Sequence, residues 1–166
     1  MINVDFVDRP DTITMAAYVC WHCDNPACAQ VCPAAAIKKY EDGIVRSSLK
    51  PRCAGCSNCV LACTFGIPKL IPENEQMMMC DMCYDRASVG KRPMCATVCP
   101  SQALAYVTAE AINASRREKP VNRFWFGDQK ITTEVYMMAP AGMESISIEV
   151  ADYTWEGEHD TVPQAF

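Results

Sequence analysis

The pattern of apolar and polar positions defines four elements. Ile37-Lys38-Lys39-Tyr40-Glu41-Asp42-Gly43-Ile44-Val45 sets apolar-rich strands on either side of Asp42-Gly43, a strong hairpin signal. Thr108 to Lys119 predicts one short helix, with Ala109, Ala111 and Ile112 facing inward. Arg116, Arg117 and Lys119 end it favourably for the helix dipole, and Pro120 stops it. Ile131–Met138 and Ser145–Val150 alternate in part and predict two strands joined through Pro140-Ala141-Gly142, with Ile146, Ile148 and Val150 on one apolar face. Between helix and strands, Phe124-Trp125-Phe126-Gly127 forms an aromatic cluster. The pair of strands either covers the preceding region or is an arm that lies on a partner. The arm is the favoured expectation, because a lone hairpin is marginal in water.

Composition narrows the class. Half of the 166 residues are hydrophobic and 21% are charged, which excludes a disordered chain. The net charge of −5 is a property of the end of the chain: residues 144–166 hold six acids and no Lys or Arg. The rest is near neutral, so neither part offers a phosphate-tracking surface, and nucleic acid is not an expected partner. No apolar run reaches the length of a membrane span. Met1-Ile2-Asn3-Val4-Asp5-Phe6-Val7-Asp8 lacks the basic start and apolar stretch of a signal peptide, so the expected location is cytoplasmic.

The chemistry lies in twelve cysteines, all between residues 20 and 99. They form three blocks: Cys20-x2-Cys23-x4-Cys28-x3-Cys32-Pro33, Cys53-x2-Cys56-x2-Cys59-x3-Cys63, and Cys80-x2-Cys83-x11-Cys95-x3-Cys99-Pro100. Each ends in an x3-Cys step, an internal repeat of a ligand motif with a period of about 30 residues. The second block has the spacing that wraps three irons of a [4Fe–4S] cubane with three closely spaced thiolates, while the fourth sits a helical turn further on. In two-cluster ferredoxins that fourth thiolate reaches the other cluster. Blocks one and three are the same motif with longer middle gaps. Structural zinc is the alternative, but it pairs C-x2-C knuckles across a longer span, and four Cys within eleven residues suit a cubane better. Disulfides are disfavoured without a secretory signal. The order of ligand turn, hairpin and ligand turn predicts an α+β, ferredoxin-like fold of the two-cluster bacterial type, extended by a third cluster-binding segment. Residues 1–107 make the cluster-binding domain, and 108–166 a helix, a hairpin and an acidic partner-docking extension. Such a domain needs little conventional core, because clusters and thiolates fill its interior.

Cys20-Trp21-His22-Cys23-Asp24-Asn25-Pro26-Ala27-Cys28 resembles a block of the four-cluster iron–sulfur subunits of the dimethyl-sulfoxide-reductase type. Cys53-Ala54-Gly55-Cys56-Ser57-Asn58-Cys59 through Cys63-Thr64-Phe65-Gly66-Ile67-Pro68 resembles their next block. Cys80-Asp81-Met82-Cys83-Tyr84-Asp85-Arg86, with Lys91-Arg92-Pro93-Met94-Cys95 and Cys99-Pro100, resembles the last. The resemblance implies a non-catalytic subunit that relays electrons to or from a large subunit carrying a molybdenum or tungsten pterin. It also implies a folded export route, carried by a partner's signal, as the alternative location. It implies a crossed ligand set: Cys20, Cys23, Cys28 and Cys63 for one cluster, and Cys53, Cys56, Cys59 and Cys32 for the other. The family's first four-Cys block has no counterpart here, since no Cys precedes Cys20. Cys80, Cys83 and Cys95 are expected to hold a third [4Fe–4S] cluster closed by Cys99. A [3Fe–4S] cluster, or a ligand from a partner, is the alternative.

Residues beside the ligands carry milder expectations. His22, Trp21 and Tyr84 are read as packing groups that could also tune potential, and Met77-Met78-Met79 as apolar filling. Arg86 either offsets cluster charge or pairs with Asp81 or Asp85. No Ser-His-Asp pattern, Gly-rich phosphate loop or dinucleotide fingerprint is present, so catalysis is expected to belong to a partner. A free polyferredoxin and a zinc-stapled module are the competing functions.

Overall fold

Turns that hold cysteines punctuate this chain, so its helices and strands are short. The structure is a computed structural model and describes residues 2–8, 13–47, 50–115, 120–139 and 142–148. Arg116, Arg117, Lys119, Val150 and the acidic stretch from Glu149 to Asp160 lie outside the described residues. β1 (Asn3–Asp8) and β2 (Ile13–Tyr18) pair antiparallel and lead into the first cysteine block, a hairpin that the sequence reading did not anticipate. α1 (Ala27–Gln30) follows, then β3 (Lys38–Lys39) and β4 (Val45–Arg46), then α2 (Asn58–Ala62). β5 (Lys69–Ile71) and β6 (Gln76–Met78) pair antiparallel ahead of α3 (Tyr84–Ala87) and α4 (Met94–Val98). α1 packs against α2.

The Asp42-Gly43 hairpin forms as expected, with β3 and β4 antiparallel. Asp42 Oδ1 accepts the Ile44 N–H at 3.1 Å, and Gly43 sits at φ +80°, which favours glycine. A Cβ there would also approach Glu134 Oε1 to 2.8 Å.

The C-terminal part departs from expectation. α5 (Ala109–Ser115) is capped by Thr108 Oγ1, which accepts the Ala111 N–H at 3.3 Å, and Ala111 is exposed rather than inward-facing. The aromatic run is itself a strand: β7 (Val121–Phe126) pairs antiparallel with β8 (Gln129–Met137) across Gly127-Asp128. β9 (Ile146–Ile148) does not pair with β8. It runs parallel to β7 on that strand's other edge. The reason is occupancy: the free edge of β8 is taken by the first cysteine knuckle. Asp24 N–H donates to the Thr132 carbonyl at 2.9 Å, Glu134 N–H to the His22 carbonyl at 3.1 Å, and Val135 N–H to the Trp21 carbonyl at 3.3 Å.

The expected arm is therefore, over β7 and β8, a cover on the chain's own cluster segment. Phe124 is 2% exposed, with its ring centroid 4.8 Å from Trp21 and 5.4 Å from Phe65. Phe126 lies edge-on to Phe65 at 5.2 Å. Such pairs add about 0.5–1.5 kcal/mol each beyond area burial. The central core is Ile37, Val45, Ile67, Met77 and Met79 around Cys20, Cys28, Cys59 and Cys80, so ligand thiols form much of the interior. No helix among the described residues is long and apolar enough to cross a membrane.

Candidate metal centre

The three blocks share one local construction. Each C-x2-C knuckle places the residue before its second Cys in the left-handed region: His22 at φ 48°, Gly55 at 64° and Met82 at 57°. Each third Cys is the second residue of a short helix: Cys28 in α1, Cys59 in α2 and Cys95 in α4. The left-handed residue curls the knuckle so that its thiols can converge, and the helix presents the third thiol beside them.

Two cavities result, each ringed by thiols from both of the first two blocks. The first is lined by Cys23, Cys28 and Cys63, with Asp24 to Ala27 on one side and Gln129 to Thr132 of β8 on another. Cys20 is buried beside it, within the field of the Cys28, Cys80 and Cys23 thiols. The second cavity is lined by Cys32, Cys53, Cys56 and Cys59, with Ile37, Leu70 and Met77 among its apolar walls. Cys63 of the second block thus stands with the first block's thiols, and Cys32 of the first stands with the second's. In the third block, Cys80 feels the Cys95 thiol, and Cys83 Sγ accepts the N–H of Met94, the residue before Cys95, at 3.5 Å. Cys99 is differently placed. Its Sγ lies 3.5 Å from Ser101 Oγ, and the backbone N–H groups of Ser101, Ala103 and Leu104 face it.

Donors to sulfur accompany these cavities. The Ala36 N–H donates to Cys32 Sγ at 3.2 Å and the Met77 N–H to Cys53 Sγ at 3.5 Å. Such N–H groups stabilise thiolates and the negative charge of a thiolate-bound cluster. As free thiols the buried cysteines hold their protons firmly. Burial, then the nearby Cys63 thiol, pushes Cys23 up to about 11. Burial and then Cys63, Cys23 and Cys59 push Cys28 up to about 12. Burial likewise raises Cys20, Cys59 and Cys80. Cys99 goes the other way: its Ser101 hydrogen bond lowers it. Clustered thiols that raise one another's pKa are relieved when a cationic iron centre takes the place of their protons. The donor set, four soft sulfurs around an apolar cavity with N–H groups aimed at them, fits a [4Fe–4S] cluster.

The residues beside the ligands resolve into definite roles. His22 is fully buried; its Nδ1 accepts the Val45 N–H at 3.1 Å, and Nε2 has no partner among the described residues. Burial lowers its pKa to about 4, so it is neutral at pH 7, and the Val45 bond puts its proton on Nε2. Met77 and Met79 are buried as apolar filling, and the Met77 backbone serves Cys53. Arg86 makes neither expected ion pair among the described residues; its Nε donates to the Arg92 carbonyl at 2.9 Å and ties α3 to the loop before Cys95. Sequence reasoning did not anticipate Arg46. It is buried, pairs with Asp42, and lies between the rings of Tyr40 at 4.9 Å and Tyr84 at 4.5 Å. Nor did it anticipate Gln129 to Thr132 as a wall of the first cavity. The Arg46–Tyr84 contact and the cavity wall both join positions remote in sequence, so spacing carries no sign of them.

The sequence profile of the 4Fe–4S dicluster domain matches residues 12–109. A probable anaerobic dimethyl sulfoxide reductase chain of Escherichia coli is 43% identical over 93 residues, 56% of this chain and 45% of the relative. Another anaerobic dimethyl sulfoxide reductase chain of the same organism is 44% identical over 87 residues, 52% of this chain and 42% of the relative. The formate dehydrogenase-O iron-sulfur subunit of that bacterium is 39% identical over 101 residues, 60% of this chain and 33% of the relative. The matched stretch thus spans less than half the length of each of these relatives.

Proposed function

The chain belongs to the 4Fe–4S dicluster domain family, and on that premise we propose that it is a non-catalytic electron-transfer subunit of an oxidoreductase complex. It relays electrons through three [4Fe–4S] clusters to or from a catalytic subunit that carries a molybdenum or tungsten pterin. Its similarity to chains of dimethyl sulfoxide reductase and to an iron–sulfur subunit of formate dehydrogenase supports this reading. The observation that carries it is the interleaving of thiols: Cys63 lines the cavity of Cys23 and Cys28, and Cys32 lines that of Cys53, Cys56 and Cys59. Two knuckles each completed by the other's last cysteine make a pair of adjacent sites, which is what passing electrons from one to the next requires.

A bound cluster takes up and releases single electrons. The chain's own residues set the conditions for that exchange. Cys20, Cys23, Cys28 and Cys63 hold the first cluster, and Cys32, Cys53, Cys56 and Cys59 the second. Cys80, Cys83 and Cys95 supply the third, with Cys99 as its fourth ligand. β8 and the Trp21–Phe65–Phe124 cluster shield the first site from water, and burial of this kind shifts reduction potential. Cys56 is exposed, so the second site reaches the surface and is the port for exchange with another redox centre.

Anaerobic purification of the chain with its co-expressed neighbours tests the reading. A brown complex, bleached by dithionite, with about twelve irons per copy of this chain and a large pterin-bearing subunit is the expected result. A colourless, zinc-replete protein would overturn it. A brown protein that binds no large subunit would favour a free polyferredoxin.

A further inference from the structure

His22 stands in the first cysteine knuckle with all but one of its polar groups taken. Its backbone N–H serves the Cys20 sulfur, its carbonyl accepts the Glu134 N–H at 3.1 Å, and Nδ1 accepts the Val45 N–H at 3.1 Å. Nε2 therefore carries the ring's proton, and it has no partner among the described residues although the residue is wholly buried. A buried donor left unpaired is costly, and in a native fold it calls for an acceptor that the polypeptide itself does not supply. Among the described residues the other buried side-chain donor left over is Arg46 Nε. Arg46 directly follows Val45, and its charge reaches His22. The unmet demand for an acceptor is thus concentrated in one region of the interior.

The surroundings identify the acceptor. His22 lines neither the cavity of Cys23, Cys28 and Cys63 nor that of Cys32, Cys53, Cys56 and Cys59. It lies at the seam with the third block. The Asp81 carboxylate, between Cys80 and Cys83, acts on the ring. Arg46 stacks on Tyr84, the residue after Cys83, at 4.5 Å. Cys20 feels the Cys80 thiol, and the two share one buried core. Asp81 turns its Oδ1 to the Cys83 N–H at 2.9 Å and leaves Nε2 unpaired. A bound iron–sulfur cluster brings acceptors of the right kind, because its sulfurs carry negative charge and take N–H donors.

We propose that His22 Nε2–H donates a hydrogen bond to a sulfur of the third cluster, the one held by Cys80, Cys83 and Cys95, and sets that cluster's reduction potential from the knuckle of the first. The bond is stronger once the cluster has taken an electron and become more negative, so it favours the reduced form and raises the potential. Electron uptake leaves the imidazole neutral and makes or breaks no covalent bond. One residue thereby ties the ligand loop of one cluster to the charge of the next. The proposal rests on the cluster reading above.

The test is pulsed electron paramagnetic resonance on the full chain, in the complex it purifies with, reduced with dithionite and grown on histidine carrying heavy nitrogen in the ring. His159 is the only other histidine, so a His159→Gln background leaves His22 as the sole labelled ring. The third cluster's signal is the one lost from Cys83→Ala. Coupling of the heavy nitrogen to that signal is expected, and this reading needs no change at His22. In a redox titration His22→Leu should lower the third cluster's potential and leave the other two near wild type. His22→Gln keeps an acceptor for Val45 and a donor, and should restore part of the shift. No nitrogen coupling on the third cluster's signal, or coupling on the first cluster's signal alone, would overturn the proposal. So would a fall in all three potentials with His22→Leu that His22→Gln does not reverse, which is the mark of a purely structural residue. About eight irons per chain, unchanged by Cys83→Ala, would remove the third site and the proposal with it. A chain without iron at any site would overturn the cluster reading itself.

Discussion

The first two cysteine blocks and the third share a local design and differ in what surrounds it. Knuckle, helix and final turn repeat three times, down to the left-handed residues. Blocks one and two lie against each other, with Cys32 lining the cavity of Cys53, Cys56 and Cys59 and Cys63 that of Cys23 and Cys28, and they bury Cys20, Cys28 and Cys59. In block three the Cys99 thiol lies beside Ser101 Oγ at 3.5 Å, and Met94 and Val98 of α4 are exposed. The local motif is thus the same three times, and the packing of α1 on α2 is what sets blocks one and two apart from the third.

The largest expected effect tests the exchange itself. Cys63→Ala should destroy or convert the cluster held by Cys20, Cys23 and Cys28, and leave that of Cys53, Cys56 and Cys59 intact. Cys32→Ala should do the reverse. Iron analysis with electron paramagnetic resonance of each variant reads this directly; damage confined to the mutated block would break the comparison. Next comes the cover over the first block. Phe124→Ala removes a ring buried against Trp21 and Phe65 and should cost about 3–5 kcal/mol in a thermal melt. Val98→Ala, in the exposed α4, should change the melt by no more than about 0.5 kcal/mol.

A third difference is protonic. Cys23 and Cys28, at about 11 and 12, are protonated at neutral pH, and below those values each unit of rising pH raises the thiolate fraction about tenfold. Loading of the first site with ferrous iron and sulfide should therefore speed up steeply as pH rises from about 7 to about 9. Visible absorbance follows it, and a flat profile would show that burial of these thiols does not limit assembly. A small effect concerns how the third block is attached. Tyr84→Leu removes the ring over Arg46 and should cost about 0.5–1 kcal/mol, seen as faster hydrogen exchange in α3 with α1 and α2 unchanged.

Legibility in the sequence followed the same division. What is local was readable: the cysteine spacing, the Asp42-Gly43 turn, and the methionines as filling. Which cavity Cys32 and Cys63 line depends on the packing of α1 on α2, which lies between segments about 30 residues apart; the full crossed ligand set was given only as what the family resemblance implies. β7 was hidden because Phe124-Trp125-Phe126 does not alternate apolar with polar, although Phe124 is buried and Trp125 is exposed. The parallel seat of β9 was unreadable, since it depends on backbone bonds between Trp21–Asp24 and β8, more than a hundred residues apart. β1 and β2 were passed over, the N-terminus having been read only for a leader.

Those same bonds have a consequence for the order of synthesis. The wall of the first cavity formed by Gln129 to Thr132 leaves the ribosome long after Cys20, Cys23, Cys28 and Cys63. Domains fold as they emerge, N-terminal parts first. During that interval all four thiols exist and the cavity has no roof on that side, so iron and sulfide have a way in. Closing β8 onto the knuckle ends the interval. Because β8 lies downstream of all four thiols, the wall that it forms is added only after they have emerged.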